Sequence, residues 1–405
     1  MTTLSRKGRL AVVSQVSWGT AESSFAATDF LECNAPWIPP LARESLTSEA
    51  YKPGLGNETP RTPGSKAPVD VQIAGDLHGW STATPTGSPT SLPDAILLGR
   101  ALGGITTGNG YTTALAAGGT MSIFKYTEGA ASVGWEGYAQ NVPIATGRAI
   151  GWLANVDTTV NPDQATLAAA ITAPHSSSGT MYGSIVAYSS RLAYDQTPLT
   201  FQWLGSSAAD QIRYFDAGVR SYTLTLENKK VPTFSATLAA LDWTAVGSGG
   251  APTDYAYNFP KIPAWTGTNG ARAYLAGVAR CYQRVVIIIT QDLVEAPCHS
   301  SNQGVSQWYV GERKITIETF RVITDSSATT ALAPGDTPGV LQIDLATTPG
   351  RSASIFAGAT QILEQPTIVD IGGILGERVL YGVNLYAADD SSTAPANTDF
   401  RIGFM

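Results

Sequence analysis

Residues 69–77 alternate without a break: Val69, Val71, Ile73, Gly75 and Leu77 fall on one side of an extended chain, and Asp70, Gln72, Asp76 and His78 continue the other. A period of two fits a half-buried strand and no helix. The same period returns along the chain. Tyr222, Leu224 and Leu226 alternate with Ser221, Thr223 and Thr225; past the polar turn at 227–230, Phe234, Ala236 and Leu238 alternate with Thr233, Ser235 and Thr237, which predicts a hairpin. Segments 314–318, 341–345, 378–385 and 399–404 repeat the pattern. The β-branched run 285–290 is expected to be a strand covered on both faces.

Helix signals are few. One helix is predicted to open at Pro93-Asp94, to bury Ile96, Leu97, Leu98, Ala101 and Leu102, and to stop at Gly103-Gly104, where glycine suits the C-terminal cap. A second is predicted over 161–174, with Asn161 as cap, Pro162 in the first turn, Leu167 and Ile171 inside, and Pro174 as the stop. Segment 271–284 suits either a helix or strands. Two helices against about a dozen short strands predict a mainly β chain: a β-sandwich or barrel core, one flanking α-helix and long loops.

The length of 405 residues exceeds a typical domain of roughly 100–200, so two domains or one with long insertions are expected. Hydrophobic residues make up 43% and charged residues only 14%, a balance that suits a subunit whose surface is covered by copies of itself, or a monomer kept soluble by its hydroxyls. The net charge of −7 argues against a basic groove that grips phosphates. No window approaches the about 18 apolar residues of a membrane helix, and no secretory signal is read at the N-terminus. Cys33, Cys281 and Cys298 form no ligand spacing and read as buried thiols in a reducing compartment.

Catalytic chemistry finds little to work with. His78, His175 and His299 show no metal spacing, Cys298-His299 is a poor chelate, and the glycines at 103–104 and 247–250 are not followed by a phosphate-binding lysine. Asp292, Glu295, Asp389 and Asp390 read as solvated loop charges rather than a glycosidase pair. No enzyme, cofactor or metal is expected. Trp80, Trp135, Trp152, Trp203, Trp243, Trp265 and Trp308 suit either core filling or sugar-stacking platforms, which keeps a carbohydrate- or receptor-binding β module as an alternative.

Predicted loops span 39–67, 81–91, 206–210, 246–253, 300–306, 325–339 and 387–397. The first is the longest and shows no hydrophobic period; loops beyond about 12–15 residues are usually functional or disordered.

Several ordered features together resemble the major tail tube proteins of long-tailed, siphophage-type bacteriophages. They are Glu22-Ser23-Ser24-Phe25-Ala26, the long loop, Ala74-Gly75-Asp76-Leu77 before Trp80, and the helix at 93–103. The run from Tyr214 to Leu226 with Val231-Pro232-Thr233-Phe234-Ser235 resembles the family's central hairpin, and 379–387 with 399–404 its closing strands. The resemblance implies a ring-forming fold in which sheets of six subunits join into an inner barrel and rings stack into a hollow conduit for DNA. It implies an N-terminal arm and first strand at 1–38, with docking by 1–19, a stacking loop at 39–67, and a tube domain at 68–405 with an insertion at about 127–198 placed outside. The implied ring-stacking residues are Arg43, Glu44, Tyr51, Lys52, Leu55, Glu58 and Arg61. The implied partners are other copies of the chain, transiently passing double-stranded DNA, and tape-measure and tail terminator proteins. The implied location is the virion tail, after assembly in host cytoplasm. A baseplate or capsid protein would share the composition.

Overall fold

The alternating segments become antiparallel strands in the computed structural model, which describes residues 7–34, 43–47, 61–80, 92–106, 113–127, 135–190, 197–204, 212–246, 259–298, 305–323, 333–383 and 398–405. In chain order the strands are β1 (Lys7–Ser14), β2 (Phe30–Asn34), β3 (Arg43–Thr47), β4 (Arg61–Lys66), β5 (Val69–Asp76) and, after helix α1 (Pro93–Leu102), β6 (Gly103–Ile105), β7 (Thr113–Ala114) and β8 (Ile123–Tyr126). There follow β9 (Ala139–Ile144), β10 (Gly147–Asp157), β11 (Asp163–Leu167), β12 (Thr180–Met181), β13 (Ile185–Ser189), β14 (Leu199–Leu204), β15 (Ile212–Glu227) and β16 (Thr233–Ala245). The last third of the chain adds β17 (Arg272–Leu275), β18 (Val278–Ala279), β19 (Arg284–Pro297), β20 (Val305–Val322), β21 (Gly339–Ala346), β22 (Ala353–Ile362), β23 (Thr367–Asp370), β24 (Leu375–Val383) and β25 (Phe400–Phe404). The fold is mainly β, and α1 is the one α-helix among the described residues.

Seventeen of the described strands belong to one sheet. Its branch point is β15, which is 16 residues long: the first part pairs with β14, the last part with β19, and β16 runs along the opposite edge. From β14 the sheet continues through β1 to β2 and curls until β2 lies against β5. The approach is close enough to require Gly75, because a Cβ there would stand 2.8 Å from the Glu32 carbonyl oxygen. In the other direction β19 leads through β20 to β24; beyond β24 lie β23 at one end and β22 at the other. Strand β22 carries β21, β17 and β18 on one side and β25, β13 and β6 on the other.

Helix α1 fills the space between the layers. Pro93 stands in its first turn, and Leu97, Leu98, Ala101 and Leu102 are completely buried with Leu238, Tyr222 and Ile289 of one layer and Ile355, Ile402 and Phe404 of the other. Gly103 ends it at φ 97°, the left-handed cap that glycine adopts most readily. Beyond the cap, the guanidinium of Arg313 donates to the carbonyls of Ala101 (3.0 Å) and Ser190 (2.6 Å) and to Gln291 Oε1, so a cation satisfies the negative end of the helix. Burial pulls the pKa of Arg313 down to about 10.

Strands β8, β11, β10 and β9 form a separate four-stranded sheet, and β7 pairs with β12 beside it. This lobe has its own core, with Phe124, Tyr126, Trp135, Leu153 and Met181 buried together. It docks on the main sheet through Trp152, whose ring meets Phe356 at 5.6 Å and whose Nε1 donates to Ser354 Oγ. Within the 127–198 span, β13 belongs to the main sheet, and β7 and β8 of the lobe precede that span.

The structure corrects several expectations. The helix expected at 161–174 is strand β11: Asp163, Ala165 and Leu167 are buried alternately, and pairing with β10 and β8 overrides the alanine-rich composition. Segment 271–284 resolves into the β17–β18 hairpin. Along 285–290, Val285, Ile287 and Ile289 face the core, but cover on the second face fades from buried Val286 to exposed Thr290. The 39–67 segment, read as a loop without period, contains the β3–β4 hairpin at its ends. Residues 7–14 of the expected docking arm form β1 between β2 and β14, with Leu10, Ala11 and Val12 fully buried. Only Cys33 is a fully buried thiol; Cys281 is exposed and Cys298 half-buried.

Candidate assembly interface

Seven strands form an uninterrupted antiparallel run, β5–β16–β15–β19–β20–β24–β23. Its end strands β5 and β23 have no second strand partner among the described residues. An unpaired strand edge presents backbone donors and acceptors to any other strand, and soluble proteins normally blunt such edges with charge. The β23 margin carries exposed apolar groups beside its one charge, Asp370: Ile368 is 63% exposed, Leu375 at the start of β24 66%, and Ile374 just before it 54%. A firm base supports this margin: Arg321 pairs at 2.5 Å with fully buried Glu377, and Arg378 reaches both Glu318 and Glu364. The hydrogen bond to Glu318 raises the pKa of Arg378.

The β5 margin is partly guarded. Val69, Val71 and Ile73 point into the core, while Asp70 and Gln72 face solvent and Asp70 pairs with Arg220 at 3.4 Å. At the other end, where β2 lies against Gly75, a cavity of about 330 Å³ opens between the strands, floored by Cys33 and Phe234. Lys261 Nζ closes it, 2.5 Å from Asp76 Oδ2 and 3.5 Å from Glu32 Oε2, and the bond to Asp76 raises the lysine's pKa. Burial pushes the Cys33 thiol up to about 12, so it stays protonated at neutral pH. The arrangement is suited to holding two strands together.

The register stacks the polar face of this run into rows. Gln72, Thr237, Ser221, Thr290 and Lys314 stand opposite one another across β5, β16, β15, β19 and β20. The next row is Ala74, Ser235, Thr223, Ile288 and Thr316. In a third, Thr233, Thr225 and Val286 lie between Asp76, held by Lys261, and Glu318, held by Arg378. Across the three central strands these rows carry no ionic side chain.

Of the residues expected at the stacking interface, Arg43 and Glu44 lie in β3 and Arg61 in β4; one hairpin unites them, with Arg43 opposite Lys66 and Thr47 opposite Arg61. Tyr51, Lys52, Leu55 and Glu58 lie outside the described residues. The hairpin is anchored by Lys66, which donates to Asp242 Oδ1 (2.5 Å) and the Trp243 carbonyl (2.6 Å) and lies over the Trp243 ring. Sequence reasoning missed this lysine, although it is the sole cation between Arg61 and Arg100. It also missed β23, where Pro366 just before the strand was the available sign of an edge.

The residues considered for chemistry are dispersed. His78 Nδ1 lies 3.3 Å from Asp94 Oδ2 in the core, and His175 Nε2 accepts from the Lys125 amide. Asp292 and Glu295 are exposed along β19 rather than in a loop, whereas His299, Asp389 and Asp390 lie outside the described residues. Trp135, Trp152, Trp203, Trp265 and Trp308 are buried and fill cores, whereas Trp80 and Trp243 are half-buried, Trp243 beneath Lys66. No protein-family model matches this chain, and no curated protein matches it either.

Proposed function

We propose that this chain is a structural virion protein, the subunit of a bacteriophage tail tube that stacks as hexameric rings into a hollow conduit for DNA ejection. The observation that carries the reading is the seven-strand run whose end strands lack a second strand partner among the described residues, one of them, β23, bearing exposed Ile368 beside exposed Leu375 of β24. Two different edges at opposite ends of one run suit head-to-tail contact, which closes into a ring when the rotation between copies closes. Pairing β5 of one copy with β23 of the next would satisfy both backbone edges and cover the apolar side chains in one step. Rings then stack through the 39–67 segment and residues near the N-terminus, with Arg43, Glu44 and Arg61 on the β3–β4 hairpin. In this reading the protein works as a wall, with no catalytic step. Its partners are further copies of itself, tape-measure and tail terminator proteins, and DNA in transit; it is assembled in the host cytoplasm and resides in the virion tail.

Ile368→Asp tests the reading by placing a charge on the apolar margin without touching the core. Wild-type protein is expected to form larger species as concentration rises in sedimentation velocity. The variant should remain a folded monomer with an unchanged melting temperature. A variant that assembles like wild type would remove β23 from the contact.

A further inference from the structure

Strand direction constrains how two copies can meet. Six antiparallel pairings lead from β5 through β16, β15, β19, β20 and β24 to β23, so the two end strands run the same way. A rotation about the axis of a closed ring carries each copy onto the next and leaves the direction of its strands in the wall unchanged. In such a ring β23 of one copy meets β5 of its neighbour as a parallel pair. Within one chain parallel neighbours require a long crossover, but between chains no connection is needed.

The faces and the ends of the two strands match in that arrangement. Ile368 stands opposite Glu377, two residues before Val379 of the main core, so it projects to the core side of the sheet. Val69, Val71 and Ile73 project to that same side from β5. Parallel pairing also directs the β23–β24 turn toward the Asp76 end of the neighbouring β5, where the cavity of about 330 Å³ has Cys33 and Phe234 at its floor. The turn contains Gly372 and Gly373, both at positive φ, and leads into Ile374 and Leu375, 54% and 66% exposed. The Asp370 carboxylate is engaged by the turn itself, accepting from the Gly373 amide at 2.6 Å. Antiparallel pairing would carry the same turn to the Val69 end, away from the cavity.

Resting on the assembly reading above, we propose that β5 and β23 of adjacent copies pair in parallel and that the 371–375 turn of one copy closes over the cavity beside Gly75 of the next, with Ile374 and Leu375 as the side chains that cover it. The occupant is a second copy because the apolar turn and the cavity belong to the two ends of one strand run, and the direction of that run brings them to the same level. Backbone pairing alone accepts any free edge, whereas a turn that fits one end of β5 rejects the opposite direction and fixes the register. Lys261, held by Asp76 and Glu32, then stands at the rim of the covered cavity.

The test is site-directed cross-linking of the full chain, with Cys281 and Cys298 replaced by Ser and buried Cys33 retained. Chains carrying Ile374→Cys, a change that keeps an apolar side chain, are mixed with chains carrying either Asn34→Cys, exposed at the cavity, or Asp70→Cys, exposed near the other end of β5. Assemblies grown from each mixture are treated with a short bismaleimide and separated on denaturing gels. The mixture of positions 374 and 34 should yield covalent dimers, and the mixture of positions 374 and 70 none. Dimers linked through positions 374 and 70 would mean the opposite strand direction. Assembled tubes with no dimers in either mixture would leave the cavity to another occupant, such as a different segment of the same chain, and either result overturns the inference while sparing the assembly reading. Subunits that never assemble, wild type included, would overturn that reading and the inference with it.

Discussion

Asp344 is 2% exposed where the lobe meets the main sheet, and its Oδ1 accepts from Ser354 Oγ (2.7 Å) and Gln342 Nε2 (3.0 Å). Both donors also touch the lobe: Gln342 Nε2 donates to the Ile150 carbonyl, and Ser354 Oγ accepts from Trp152 Nε1. Burial is the largest influence on the carboxyl group and pushes its pKa from 3.8 to about 6, against the hydrogen bonds and the pull of Arg272. The protonated form is therefore favoured by folding. Its contribution is fully present below pH 3.8 and is lost as pH rises through 6, a change of about 3 kcal/mol for a shift of this size. Asp344→Asn keeps the acceptor and removes the titration. Thermal unfolding across pH 4–8 should show the variant close to wild type at the acid end and more stable at pH 8. An unchanged pH slope would mean that another group controls it.

Among elements, the strands with strict alternation were legible because a period of two leaves little choice of structure once one face must be buried. The α1 boundaries were equally legible, since Pro93 and Gly103 punctuate them. Strand β11 was misread because Asn161, Pro162 and the alanines within and after it speak locally for a helix, whereas its strand state comes from pairing with neighbouring β10 and with β8, earlier in the chain. The β3–β4 hairpin carries no hydrophobic period, and its anchor depends on Lys66 meeting Asp242 across 176 residues, a pairing no local pattern encodes. Of the candidate interface, β5 was visible from its sequence, but β23 is four residues long and becomes an edge only through the placement of β24. The anchor makes the hairpin separable from the core. Replacing residues 44–63 by a short Gly/Ser linker, with Lys66 retained, should leave the melting temperature unchanged and yield rings that fail to stack. Normal stacking of this variant in electron micrographs would remove the segment from the axial contact.

For the whole molecule, low charge, a branched sheet that nearly closes on itself at β2 and β5, and an apolar edge at β23 are parts of one account. The near closure gives each copy a stable core around α1, so a subunit can fold before it meets another. In the proposed assembly a neighbour adds to the sheet at the β23 edge and at the β5 edge, which pairs with β16 on one side only. The central claim is that copies complete one another through strand edges. Negative-stain electron microscopy of the purified full chain over a range of concentrations tests it most directly: the account predicts hollow rings and tubes with a regular axial repeat. Discrete single particles at every concentration would contradict it.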